Sequence, residues 1–154
     1  VLEDTLLQLT RERRIAVIAA VGNDGPQAKA AYPAAYDNVI AVTAVDRGGT
    51  LYRRAIRGPH VELAAQGVEV WTAASVEGAR WKTGTSFAAP YVTAAAVLFL
   101  QQDPTLTPEE IRARLTAAAR DLGTEGFDET HGHGLLNLGG VCPGEAMVMP
   151  VSME

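Results

Sequence analysis

Ile15-Ala16-Val17-Ile18-Ala19-Ala20-Val21 runs straight into Gly22-Asn23-Asp24-Gly25-Pro26. Seven consecutive apolar residues leave no side of the segment for water, which suits a strand covered on both faces, as in a parallel sheet flanked by helices. The Gly-Asn-Asp-Gly-Pro cluster ends it abruptly with turn chemistry. A second such strand is predicted at 39–45 (VIAVTAV), after a loop containing Tyr32-Pro33 and before Asp46 and Gly48-Gly49. Upstream, residues 3–14 predict an amphipathic helix, with Leu2, Leu6, Leu7 and Leu9 on a stripe and acids before bases to suit the helix dipole. Downstream, 61–65 and 68–72 alternate well enough for strands separated by Gln66-Gly67, and 81–83 suggests a third. Residues 50–58 carry three arginines and little periodicity, and are predicted as loop.

The second decisive stretch is Gly84-Thr85-Ser86-Phe87-Ala88-Ala89-Pro90, a small-residue turn opening into the apolar run 91–100. A nearly all-apolar helix over 86–102, slimmed by its alanines, is expected to be central and buried. Pro90 falls in its first turn, where a missing N–H costs little. Thr107-Pro108-Glu109-Glu110 predicts a second helix start, with Thr107 as N-cap and Glu110 closing a capping box, running to about Ala119. Residues 123–134 read as a glycine-rich polar loop and 135–138 as a short apolar element. The expected division is one unit over 1–139 and a patternless tail over 140–154.

Composition bounds the function. The 154 residues suit one domain, and 47% hydrophobic content is enough for an ordinary core. Net charge is −5 and the basic residues are dispersed, so no nucleic-acid footprint is present. The clusters Arg11, Arg13, Arg14 and Arg53, Arg54, Arg57 read as solvated faces. A single cysteine, Cys142, excludes an internal disulfide. No apolar run reaches the roughly 18 residues that span a bilayer.

Apolar strands alternating with helices imply a doubly wound α/β sheet, and such sheets carry their sites at the carboxyl ends of strands. Asn23 sits at such an end. Its amide fits two roles: a hydrogen-bond donor to a developing oxyanion, or an Asn tolerating a left-handed turn beside glycine. Ser86 likewise fits either a nucleophile at a helix start, where backbone N–H groups lack partners, or a helix cap, a role open also to Thr85.

Together these segments resemble the subtilisin-like serine peptidases, the subtilases. The likeness is collinear over 3–139. It includes Ala20-Val21-Gly22-Asn23-Asp24-Gly25, Tyr32-Pro33-Ala34 followed by Asn38-Val39-Ile40-Ala41-Val42, the Gly84 to Pro90 stretch, Asp103-Pro104, and Gly132-His133-Gly134-Leu135-Leu136-Asn137. The resemblance implies the C-terminal half of a doubly wound, mostly parallel sheet with helices on both faces. By the same resemblance Ser86 is the catalytic nucleophile and Asn23 the side-chain donor of the oxyanion hole. Ala20 and Gly22 line the primary specificity pocket, Asp24 lies near its base, and Thr85 belongs to the substrate site. Tyr32-Pro33 is expected to be cis.

The family's triad order is Asp, His, Ser, so the first two members are expected upstream of residue 1. The chain alone is then expected to be inactive and to associate, with itself or with that missing N-terminal half, over an exposed sheet edge. Polypeptide substrates and a secreted or envelope location follow from the resemblance. His60, His131 and His133 are read as ordinary loop histidines, poorly disposed as a base or metal site. Glu62 and the 33–39 loop correspond to a region where some relatives hold a cation, so a structural calcium is an open expectation. Gln66 in place of a usual proline, Tyr91 in place of histidine, and Ala55-Ile56-Arg57 in place of small hydroxyl residues depart from the family pattern. A degenerate, non-catalytic binding or scaffolding module is the alternative reading.

Overall fold

The computed structural model describes residues 1–73 and 78–139; the tail predicted over 140–154, with Cys142, lies outside the described residues. Three parallel strands, β1 (Val17–Ala20), β2 (Val39–Val45) and β3 (Leu63–Gln66), pair in the order β1-β2-β3. Val17 lies opposite Val39, and Val42 opposite Leu63. All seven residues of β2 are buried, Thr43 included, as expected of a nearly all-apolar central strand covered on both faces. With side chains alternating along the strand, Ile40, Val42 and Ala44 join the larger core, while Ala41 joins Val21, Ala34, Ala55 and Val61 in a second cluster.

The larger core lies beneath α2 (Thr85–Gln102), which meets the sheet through Ala88, Val92, Ala95 and Phe99. These recur at helical spacing, and the alanines let the helix approach the strands closely. Helix α3 (Pro108–Ala118) adds Ile111 and Leu115 to the same core. Its start is a complete capping box: the Thr107 hydroxyl accepts from the Glu110 N–H at 3.2 Å, and the Thr107 N–H donates to Glu110 Oε2 at 2.8 Å. Helix α1 (Leu2–Arg11) buries Leu6 and Thr10, and the Thr10 hydroxyl accepts from Asn38 Nδ2 at 3.3 Å, just ahead of β2.

Several boundaries differ from the sequence reading for local reasons. Helix α1 stops at Arg11 because Arg14 takes a positive φ of 56°, turning the chain toward β1. The strand predicted at 15–21 pairs only over Val17–Ala20, and Ile15 is exposed. The segments predicted at 68–72 and 81–83 lie at β4 (Val70–Ala73) and β5 (Ala79–Lys82), which pair with each other in a separate antiparallel ribbon. Helix α2 is buried on one side only. Tyr91 and Val97 point outward at 41% and 57% exposure, where a central buried helix was expected. The parallel strands are joined by loops rather than helices, and Ala34 and Ala55 of those loops cover the sheet face opposite α2.

The glycine-rich C-terminal segment extends the sheet. His133 N–H donates to Glu62 O, Ala64 N–H to Gly134 O, and Leu136 N–H to Ala64 O, laying the segment beside β3. Glycine is required for this approach, since a Cβ on Gly132 would lie 2.2 Å from the Glu62 carbonyl.

Candidate active site

Asn23 follows the carboxyl end of β1, and Ser86 is the second residue of α2. The residue between Gly84 and Ser86 joins them. Thr85 is fully buried; its N–H donates to Asn23 Oδ1 at 2.9 Å and its hydroxyl donates to the same oxygen at 3.1 Å. The Thr85 hydroxyl in turn accepts from the Gly22 N–H at 3.2 Å. Both contacts consume the carbonyl oxygen of the Asn23 amide, so its Nδ2 group is the end left to donate.

Ser86 itself is exposed, and neither its hydroxyl nor its N–H has a hydrogen-bonding partner among the described residues. The cap of α2 is Gly84, without a side-chain bond. The capping alternative for Thr85 and Ser86 is thereby removed: Thr85 spends its hydroxyl on Asn23, and Ser86 lies inside the first turn. An unpaired N–H at a helix start, a free hydroxyl on the same residue and a neighbouring Asn Nδ2 are the parts from which an acyl-transfer site is made.

The turn bearing Asn23 is held from its other side by the 50–58 loop. Arg54 Nε donates to Asn23 O at 3.1 Å, Gly25 N–H donates to Arg54 O at 3.0 Å, and Ile56 N–H donates to Gly22 O at 3.1 Å. Gly22 has φ 104°, and a Cβ there would lie 2.8 Å from Ile56 Cδ1. Arg54 and Arg14 are exposed, as expected of solvated faces. Each guanidinium also reaches a main-chain carbonyl distant in sequence, Arg54 that of Asn23 and Arg14 Nη2 that of Thr105, which charge clustering alone does not reveal.

Comparison with known proteins decides what this arrangement belongs to. The pattern of the Subtilase family matches residues 3–134. The chain belongs to the subtilases. It is 39% identical to subtilisin DY of Bacillus licheniformis over 127 residues, covering 80% of this chain and 45% of that protein. It is also 39% identical to the halolysin-like extracellular serine protease Nep of Natrialba magadii over 118 residues, covering 77% of this chain and 21% of that one. Among solved structures, the Prenylagaramide maturation protease PagA superposes with a TM-score of 0.75 at 29% identity, covering 88% of this chain and 52% of its own. The serine protease MycP1, an essential component of the type VII (ESX-1) secretion system, gives the same TM-score at 26% identity, covering 86% and 44%. The chain thus spans about half the length, or less, of these relatives.

In this subtilase chain the Tyr32–Pro33 peptide is cis. Ala20 ends β1, half-buried, and Asp24 is exposed on the turn after Asn23. None of the three histidines hydrogen-bonds Ser86. His131 is engaged by Thr130 Oγ1 at 2.9 Å and Asp128 at 3.5 Å, His133 packs on Phe127, and the buried Nε2 of His60 has no partner among the described residues.

Glu62 lines a cavity of about 180 Å³ with His60, Tyr36, Asp37 and Arg112. Arg112 Nη1 lies 3.2 Å from Glu62 Oε1, while Oε2 is buried without a partner among the described residues. Burial outweighs the attraction of the guanidinium and pushes the Glu62 carboxyl up to about 7. These residues make a poor site for the calcium left open by the resemblance, because a guanidinium already faces Glu62, one of the two carboxylates lining the cavity, and calcium requires several charged or carbonyl oxygens free to turn toward it. Among the described residues no group of three His, Cys, Asp or Glu is placed to hold a metal.

Proposed function

We propose that this chain, over residues 1–139, supplies the nucleophile and the oxyanion-hole half of a secreted serine endopeptidase. Ser86 Oγ attacks the scissile carbonyl, and the oxyanion that forms accepts from the Ser86 N–H and Asn23 Nδ2. The attacking hydroxyl must lose a proton, and the histidine that takes it, with the aspartate that orients it, is assigned to sequence upstream of residue 1. The supporting observation is the anchoring of Asn23 Oδ1 by Thr85, the residue before Ser86, which leaves Nδ2 as the end of the amide free to donate. Ala20 and Gly22 wall the pocket for the residue preceding the cleaved bond, with Asp24 supplying a negative charge that favours basic side chains there. Thr85 contributes to the substrate site by fixing Asn23 rather than by contact.

Secretion is inferred from relatives whose names describe them as extracellular; no helix among the described residues is long and apolar enough to cross a membrane. The outer side of α2, with Tyr91 and Val97 exposed, and the edge of β1, unpaired among the described residues, are assigned to docking of the upstream half of the domain. The test is hydrolysis of an unstructured protein such as casein by the chain extended through the upstream aspartate and histidine. The extended protein is expected to cleave it, and the 154-residue chain and a Ser86→Ala form of the extended protein are expected not to. Undiminished cleavage by Ser86→Ala would overturn the assignment.

A further inference from the structure

Asn23 is held at opposite ends by two different elements. Its side-chain oxygen is fixed by Thr85 at the start of α2, whereas its main-chain carbonyl is fixed by Arg54 from the loop between β2 and β3. Between these anchors the turn has little stiffness of its own, since Gly22 and Gly25 both take positive φ values, 104° and 110°, in a region that only glycine visits readily. The side chain of Arg54 also acts alongside its own backbone, whose carbonyl accepts from Gly25 N–H. One residue therefore grips the turn at Asn23 and again two residues on.

We propose that Arg54 is a positioning residue for catalysis, clamping the Asn23 turn so that Nδ2 is aimed at the developing oxyanion. The proposal rests on the reading of Asn23 as an oxyanion donor. Arg54 touches neither Ser86 nor the reacting carbonyl. It acts by limiting the angular freedom of a donor whose worth depends on being preorganised before charge develops. A guanidinium suits this task because its Nε–H lies in a rigid plane, so that one bond fixes direction as well as distance.

The test uses the full protein and Arg54→Met, which keeps the apolar stem and removes the donor. In ¹H–¹⁵N spectra the Asn23 side-chain amide and the Gly22 to Gly25 backbone amides are expected to shift and exchange faster, with residues of α3 unchanged. In steady-state hydrolysis of a peptide anilide, kcat is expected to fall about tenfold with KM within about twofold, and Arg54→Lys to recover part of the loss. In an Asn23→Ala background the same substitution is expected to change kcat little, because the group it positions is gone. Unaltered turn resonances would overturn the clamp. An equal loss of kcat with and without Asn23 would overturn the positioning role in favour of a general structural one. Absence of turnover in the unsubstituted protein would instead overturn the oxyanion reading and Arg54's catalytic role with it, while the spectra would still decide whether the clamp exists.

Discussion

The Thr85 N–H and hydroxyl converge on a single oxygen of Asn23, Oδ1, at 2.9 and 3.1 Å. This pairing orients the amide. An Asn with its oxygen toward the oxyanion would repel it, whereas one whose oxygen is already committed presents Nδ2. Thr85→Val keeps the shape of the buried side chain and the N–H contact, but removes the hydroxyl. Loss of about 1 kcal/mol of stability is expected from the buried hydrogen bonds, with kcat for peptide hydrolysis falling roughly tenfold as the amide gains freedom. Thr85→Ser restores the hydroxyl and is expected to retain most activity. Urea unfolding and steady-state kinetics on the three forms check both numbers.

Asn23→Ala removes the proposed oxyanion donor. The expected fall in kcat is on the order of 10²–10³, a scale borrowed from the equivalent donor of subtilisin rather than obtained from this structure. KM should be little changed, because the interaction strengthens only as the oxyanion forms. A loss confined to KM would show that Asn23 binds substrate in its ground state.

How much of this was legible in the sequence depended on how far apart the interacting groups lie. Ser86, Thr85 and Asn23 sit in short stretches whose residue types carry their own turn and helix-start signals, and the strands β1 and β2 announce themselves by runs that are apolar at every position but Thr43. Arg54 gave no such signal. Its partner is a main-chain carbonyl 31 residues away, and a carbonyl has no residue type to recognise. Strand β4 begins two residues later than predicted because Glu69 takes a positive φ of 51° and its N–H donates to Thr83 Oγ1 at 3.0 Å, extending the turn after Gly67. Helix α2 looked buried throughout because alanine reads as apolar on every side, and composition does not say which side meets the sheet.

Stability should fall as pH rises through the Glu62 transition. The folded carboxyl titrates near 7 against an ordinary value of 4.5, so between those values the folded state holds a proton that the unfolded state releases. Stability therefore decreases with rising pH across about pH 4.5 to 7, by roughly 3 kcal/mol from this group, and levels off above it. Glu62→Gln removes the titration, and its stability is expected to be flatter across the window and higher than that of the unsubstituted protein at pH 8. Urea midpoints at pH 5, 6, 7 and 8 for both forms supply the comparison; parallel curves would refute it.

The Asp128 carboxylate organises the loop that leads to the sheet-extending segment. Burial works to raise its pKa, but hydrogen bonds from the Thr130 hydroxyl and from the backbone N–H groups of His131, Thr130 and Thr124 win, holding it well below the usual carboxylate range. Asp128→Ala leaves those donors unpaired and is expected to cost about 2–3 kcal/mol. Faster amide exchange at Thr124, Thr130 and His131 would localise the loss; uniform exchange rates would contradict it.

Alone, the 154-residue chain is expected to associate. The edge of β1, unpaired among the described residues, offers backbone donors and acceptors, and the outward Tyr91 and Val97 of α2 offer apolar area. Size-exclusion chromatography with light scattering should give a dimer or larger species. A stable monomer with a cooperative melt would count against docking on this surface.

The central claim is that Ser86 is a nucleophile, and covalent labelling tests it most directly. The protein extended through the upstream aspartate and histidine would be treated with a fluorophosphonate, digested and mapped by mass spectrometry. A single adduct is expected on the peptide containing Ser86, abolished by Ser86→Ala and slowed strongly by Asn23→Ala. An extended protein that folds yet takes no label at Ser86, or is labelled on another serine, would contradict it.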